Sequence, residues 1–124
     1  MYYGISGMGA VTHTLNFRLH PELAVYIINH AEDKIIFVEL PFIPILEGLK
    51  DKLTTVEKYI VLCEENEMPE TSLKNAMSYE EYIKDGDENY NWPVLADDAA
   101  CALCYTSGTT GNPKGVLYLS LIHI

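Results

Sequence analysis

Ile35-Ile36-Phe37-Val38 is an unbroken run of β-branched and aromatic side chains, and Tyr59-Ile60-Val61-Leu62-Cys63 is a second run of the same kind. A strand with one wet face alternates apolar and polar residues, whereas a continuous apolar run is what a strand buried on both faces of a parallel sheet requires. The chain between and before these runs has the other period. Pro21 suits a first helical turn, where the N–H that it lacks would go unpaired, and Leu23, Tyr26, Ile27 and Ala31 follow at helical spacing. Glu32-Asp33-Lys34 breaks that pattern just before the first run. Between the two runs, Phe42, Ile45, Leu46, Leu49 and Leu53 recur at helical intervals, with Pro44 confined to the first turn. A β-α-β unit that repeats predicts the α/β class, with a partial parallel sheet joined by right-handed crossover helices.

On the N-terminal side, residues 2–8 have no starting cap, and their glycines make a poor independent helix, while residues 10–16 alternate well enough for a strand. On the C-terminal side, residues 64–70 form an acidic segment expected to be a solvated loop. Ser78-Tyr79-Glu80-Glu81 matches a capping box, so a short helix runs from there to about Lys84 and ends at Asp85-Gly86-Asp87. Residues 89–98 form an irregular connection. Its Trp92 could touch a substrate, but a long connection needs an anchor, and a half-buried anchor is the expectation. Asp97 and Asp98 read as exposed turn residues.

The chain has 124 residues, one domain or part of one. With 18 acidic against 8 basic side chains its formal net charge is −10, and no basic patch offsets it, which argues against nucleic acid as a partner. No secretory leader and no apolar run of roughly 18 residues is visible, so no membrane span is expected and a cytoplasmic location is the default. Cys63, Cys101 and Cys104 are odd in number and scattered, against a disulfide framework. Cys101 and Cys104 lie three apart in an apolar run that reads as a strand, where such positions face opposite sides, so two structural thiols are expected. His13, His20, His30 and His123 show no ligand spacing with them, and no zinc site is assigned.

The chemistry concentrates in Tyr105-Thr106-Ser107-Gly108-Thr109-Thr110-Gly111-Asn112-Pro113-Lys114-Gly115. Such clusters are often plain surface turns. Here, however, apolar runs stand on both sides, 99–105 before and 116–119 after, which reads as strand, cradle, strand. Glycines let backbone N–H groups close on an anion, the hydroxyls of Thr106, Ser107, Thr109 and Thr110 add donors, and Lys114 adds a mobile positive charge. It is not the common P-loop, because Pro113 stands where that motif needs glycine, Gly115 where it needs a hydroxyl, and no helix comes after it.

This loop resembles the signature loop of the AMP-forming acyl-adenylate enzymes, the superfamily of acyl-CoA synthetases, luciferases and peptide-synthetase adenylation domains. Upstream, Ile5-Ser6-Gly7-Met8-Gly9-Ala10-Val11, His13-Thr14-Leu15-Asn16, Arg18-Leu19-His20-Pro21-Glu22 and Ile28-Asn29-His30-Ala31-Glu32-Asp33-Lys34 are similar to bacterial medium- and long-chain fatty-acid–CoA ligases. The resemblance implies residues 1–118 as part of an AMP-binding (adenylation) domain whose first residues end a helix packed on the sheet. Residues 119–124, where the family pattern stops, are expected to be a non-native or truncated tail. Phe17 departs from the pattern, which has proline there.

The implied chemistry is ATP-dependent ligation of a fatty acid to coenzyme A through an acyl-adenylate. It implies that Thr106, Ser107, Gly108, Thr109, Thr110, Gly111 and Lys114 contact nucleotide phosphates, and that the Thr106 hydroxyl stands near Mg2+. ATP, Mg2+, coenzyme A and a fatty acid are thus the implied ligands of a parent enzyme, which is free to form a homo-oligomer. The adenine and ribose sites, the later acidic metal ligand and the catalytic lysine have no counterpart here, so no catalytic residue is assigned and the chain alone is expected to be inactive. Two other readings stand beside this one: an adenylation module for amino or aryl acids, and a non-catalytic α/β phosphate-binding fragment.

Overall fold

A computed structural model describes residues 1–106 and 111–119. In chain order the elements are α1 (Tyr2–Gly7), β1 (Thr12–Thr14), α2 (Pro21–His30), β2 (Ile35–Val38), α3 (Ile43–Leu49), β3 (Lys58–Val61), β4 (Ala76–Ser78), α4 (Tyr79–Ile83), β5 (Ala100–Thr106) and β6 (Lys114–Leu119), with three short 3-10 turns. The chain divides into two compact units, His20–Glu88 and Met1–Leu19 with Asn89–Ile124. No helix among the described residues is long and apolar enough to cross a membrane.

The unit His20–Glu88 holds the expected parallel sheet. Its strands lie in the order β2-β3-β4, all parallel, with Ile35 opposite Lys58 and Val61 opposite Ser78. Ile60 and Val61 are fully buried, as their apolar run requires. Ile28 of α2, Ile43, Leu46 and Leu49 of α3, and Leu53 close the core against Val38, Tyr59 and Val61. Each such side chain contributes roughly 1.5–3 kcal/mol on leaving water.

The α3 stripe departs from expectation at Ile45, which is 50% exposed, while Ile43 is buried. The cause is the helix's shortness. It is flanked by 3-10 turns at Leu40–Phe42 and Lys50–Lys52, and a 3-10 turn rotates faster per residue than an α-helix, so the inward face shifts in phase along the segment. Strand β4 is absent from the sequence reading, since three residues carry no period. Ser78, which ends it, does cap α4 as expected: its Oγ accepts from the Glu81 N–H at 3.2 Å.

Two polar clasps hold the loops of this unit. Asn29 Nδ2 donates to the Lys52 carbonyl at 2.8 Å, and its Oδ1 accepts from the Thr54 N–H at 3.0 Å. Glu47 Oε1 accepts from Thr71 Oγ1 at 2.8 Å and from the Ser72 N–H at 2.7 Å. The Ser72 N–H and then the Thr71 hydroxyl favour the ionised form, which lowers the Glu47 pKa from its ordinary value.

In the other unit the strand order is β1-β5-β6. Strand β1 runs parallel to β5 and β6 runs antiparallel to it. Helix α1 does form, where the sequence reading found no cap, and a hydroxyl ties it down: Ser6 Oγ donates to the Cys101 carbonyl at 2.8 Å. Trp92 is 59% exposed, not half-buried. It still packs on backbone, because its Cζ3 lies 2.9 Å from where a Cβ on Gly7 would sit. The three cysteines form no disulfide, with Cys101 buried and Cys104 partly so. A register irregularity falls at Cys101, between Ala100 and Ala102, so simple alternation does not carry through it. Cys101 Sγ donates to the Tyr118 carbonyl at 3.4 Å, and the Cys104 thiol meets Thr14 Oγ1 at 3.3 Å.

Candidate phosphate-binding site

Strand β5 delivers the glycine-rich stretch from its C-terminal end, the end at which open α/β sheets bind ligands. The expected strands stand on both sides of the stretch, β5 before it and β6 after it. The second strand, β6, is an antiparallel return and not the helix that a P-loop needs.

The register brings two of the expected site residues together. Thr106, the last residue of β5, stands directly opposite Lys114, the first of β6, and Thr106 Oγ1 donates a long hydrogen bond of 3.5 Å to the Lys114 carbonyl. Directly opposed residues of an antiparallel pair project to the same face, so the hydroxyl and the ammonium share one side of the hairpin mouth. Both residues are exposed. Strand β6 begins two residues earlier than its apolar run suggests, because Lys114 and Gly115 pair through backbone groups that side-chain pattern does not report.

Gly111 is exposed and has φ +96°, a conformation closed to nearly every residue with a Cβ. Ser107, Gly108, Thr109 and Thr110 lie outside the described residues, as do 120–124 of the expected tail. Leu119, the first residue assigned to that tail, pairs with Ala100 at the end of β6.

Among the described residues, no three His, Cys, Asp or Glu side chains converge as a metal site. The exposed Thr106 hydroxyl is a hard oxygen donor, which fits a single place in the largely hydrated octahedral shell of Mg2+. A shallow hollow of about 320 Å3 in the His20–Glu88 unit has different chemistry. Leu62, Cys63, Glu64, Glu67, Tyr79 and Glu80 line it, and burial, followed by the charges of Glu67 and Glu64, raises the Cys63 pKa. Three carboxylates repel polyphosphate, and a protonated thiol is a poor nucleophile.

Two residues near the mouth carry no role in the sequence reading. His13, on β1, sits with its ring 5.3 Å from that of Tyr105, tilted by 42°. Gly115 lies opposite Tyr105 on β6. The only signal for either is membership in the motifs that carry the family resemblance.

Residues 1–119 match the family described as AMP-binding enzyme. Among similar proteins, the 3-methylmercaptopropionyl-CoA ligase of Ruegeria pomeroyi is 49% identical over 118 residues, covering 95% of this chain and 22% of that protein. The medium-chain-fatty-acid–CoA ligase of Ectopseudomonas oleovorans is 44% identical over the same length, with the same coverage. A solved anthranilate CoA ligase in complex with anthranoyl-AMP superposes with a TM-score of 0.83 at 26% identity, covering 96% of this chain and 22% of that one. The chain thus spans about a fifth of the length of the relatives it matches.

Proposed function

The chain belongs to the AMP-binding enzyme family, and on that premise we propose that it is the phosphate-loop segment of an AMP-forming acid–thiol ligase acting on aliphatic carboxylic acids. In the first half-reaction an acid carboxylate attacks the α-phosphorus of ATP, the bond to the bridging oxygen breaks, and pyrophosphate leaves. In the second, the coenzyme A thiol attacks the acyl-adenylate carbonyl, forming the thioester and releasing AMP.

This chain's contribution falls in the first step. Charge builds on the departing β- and γ-phosphates, and donors fixed beforehand stabilise it without reorganising. Lys114 supplies the ammonium, Thr106, Ser107, Thr109 and Thr110 supply hydroxyls, and Gly108 and Gly111 allow backbone N–H groups to approach. Mg2+, when bound, neutralises phosphate charge, and Thr106 would offer it one oxygen.

The observation that carries the reading is the direct opposition of Thr106 and Lys114 across the β5–β6 mouth. The aliphatic substrate class is supported by the two relatives of highest quoted identity, whose names specify 3-methylmercaptopropionyl and medium-chain fatty acyl groups. The aryl-acid reading is supported by the anthranilate ligase likeness, at lower identity.

The test uses the full-length parent protein. Lys114→Ala should slow acid-dependent ATP–pyrophosphate exchange by roughly 10–150-fold, the equivalent of losing one charge-assisted contact of about 1.5–3 kcal/mol. Wild-type exchange in that variant removes the loop from the mechanism. A panel of 3-methylmercaptopropionate, octanoate, palmitate and anthranilate separates the acid classes, and preference for anthranilate overturns the aliphatic assignment.

A further inference from the structure

Resting on the phosphate-loop reading, we propose that Tyr105 is a positioning residue, wedged between the His13 ring and the bare Cα of Gly115, and that it sets the separation of Thr106 and Lys114.

The two faces of this sheet divide the labour. Register places His13 opposite Leu103, Leu103 opposite Leu117 and Tyr105 opposite Gly115, so these side chains share one face. Thr106 and Lys114 are the next residues along β5 and β6 and project from the other face. The Tyr105–Gly115 pair is therefore the last rung beneath the mouth.

That rung is closed by contact. A Cβ added to Gly115 would lie 3.2 Å from Tyr105 Cζ, 3.4 Å from its Oη and 3.2 Å from Leu103 Cδ1. The Tyr105 ring thus lies across β6 where glycine leaves room, the arrangement by which an aromatic ring supports a strand glycine. From β1 the His13 ring, 5.3 Å away between centroids, backs the same tyrosine. With Leu103 on the same face, an extra methyl at Gly115 forces a displacement of a few tenths of an ångström, which on this proposal the strands take up by spreading. Spreading them moves Lys114 away from Thr106.

Catalytic positioning is sensitive on this scale, since a displacement of about 1 Å can cost on the order of a hundredfold in rate. In the full-length parent, Gly115→Ala should lower kcat for pyrophosphate exchange by roughly 10–100-fold, with KM for the acid nearly unchanged. Tyr105→Phe, which keeps the ring, should retain most of the rate, and Tyr105→Ala should lose it. In the Tyr105→Ala background, Gly115→Ala should cost little more, because the clash has been removed. A role in stability alone would move the melting temperature without this split between kcat and KM, and without non-additivity. Wild-type kcat in Gly115→Ala, or fully multiplicative effects in the double variant, overturns the proposal. Should Gly115→Ala fail to fold, equal kcat in Tyr105→Ala and Tyr105→Phe overturns it, and loss confined to Tyr105→Ala sustains it. Lys114→Ala separates the two levels: a normal rate there removes the loop reading itself, whereas a defect there with a normal Gly115→Ala removes only the positioning role.

Discussion

The two units solve opposite problems. In His20–Glu88, three parallel strands and two helices bury a contiguous set of Ile, Leu and Val side chains, and Ile60 and Val61 lose all contact with water. In the unit that carries the loop, strand β6 is exposed over Lys114–Tyr118, and Val116 and Leu117 are 41% and 51% accessible. Stability and the proposed chemistry are thus made in separate places. Apolar burial needs no particular functional group, whereas a phosphate-binding mouth needs polar groups, glycines and an open edge, all of which weaken a core.

A pair of truncations in the full-length protein puts this contrast at greatest risk. Ile60→Ala should destabilise it by about 2–5 kcal/mol, the usual cost of a cavity at a fully buried site. Val116→Ala, on the exposed strand, should stay within about 0.5 kcal/mol. Urea unfolding reads both, and similar values for the two would erase the distinction. A smaller effect is expected at Ser78→Ala, which removes the hydroxyl capping α4 and should cost about 1 kcal/mol. No loss there would mean that another group satisfies the Glu81 N–H.

The smallest effect concerns pH. The Glu47 pKa is lowered in the folded state, so its clasp on Thr71 and Ser72 stabilises fully above the ordinary carboxylate value of 4.5 and is lost as pH falls through the lowered folded value. Glu47→Gln should make stability less steep across that acid range. An unchanged acid-unfolding profile in that variant would show that the clasp does not bear on folding.

Much of this is legible in the sequence, for reasons that vary by residue. Strand β2 is expected at 35–38 and occupies Ile35–Val38, because an unbroken β-branched and aromatic run favours a strand. Its expected burial on both faces does not hold, since β2 lies at the sheet edge, where Ile35 is 40% exposed and only Val38 is buried. Helix α2 and the Ser78 cap are readable because a proline at the first turn and a capping serine act locally. Ile45 is misplaced because turn geometry at both ends of α3 rotates its inward face. Strand β4 is missed because Ala76–Ser78 is held by its neighbour and not by its own composition. At the site, residue types announce phosphate chemistry, but the opposition of Thr106 to Lys114 is a matter of pairing register, which residue type does not carry. His13 is invisible as a buttress because its partner, Tyr105, is remote in sequence.

That remoteness has a consequence in time. Thr12 pairs with Ala102, His13 with Leu103 and Thr14 with Cys104, and the two members of each pair are 90 positions apart. Strands β2 and β3 instead each pair with the next strand in the chain, β3 and β4. A ribosome adding about 5–20 residues per second leaves β1 without its partner for roughly 5–18 s after it emerges. All of His20–Glu88 is made in that interval. The parallel sheet is therefore expected to form first, and by folding it shortens the slack that β1 must cross to meet β5. Pulse-labelled hydrogen exchange during refolding reads the order directly, and protection of Thr12–Thr14 ahead of Lys58–Val61 would reverse it. On this schedule the proposed phosphate-binding mouth is the last part of the segment to exist, assembled only when a strand made early finds one made late.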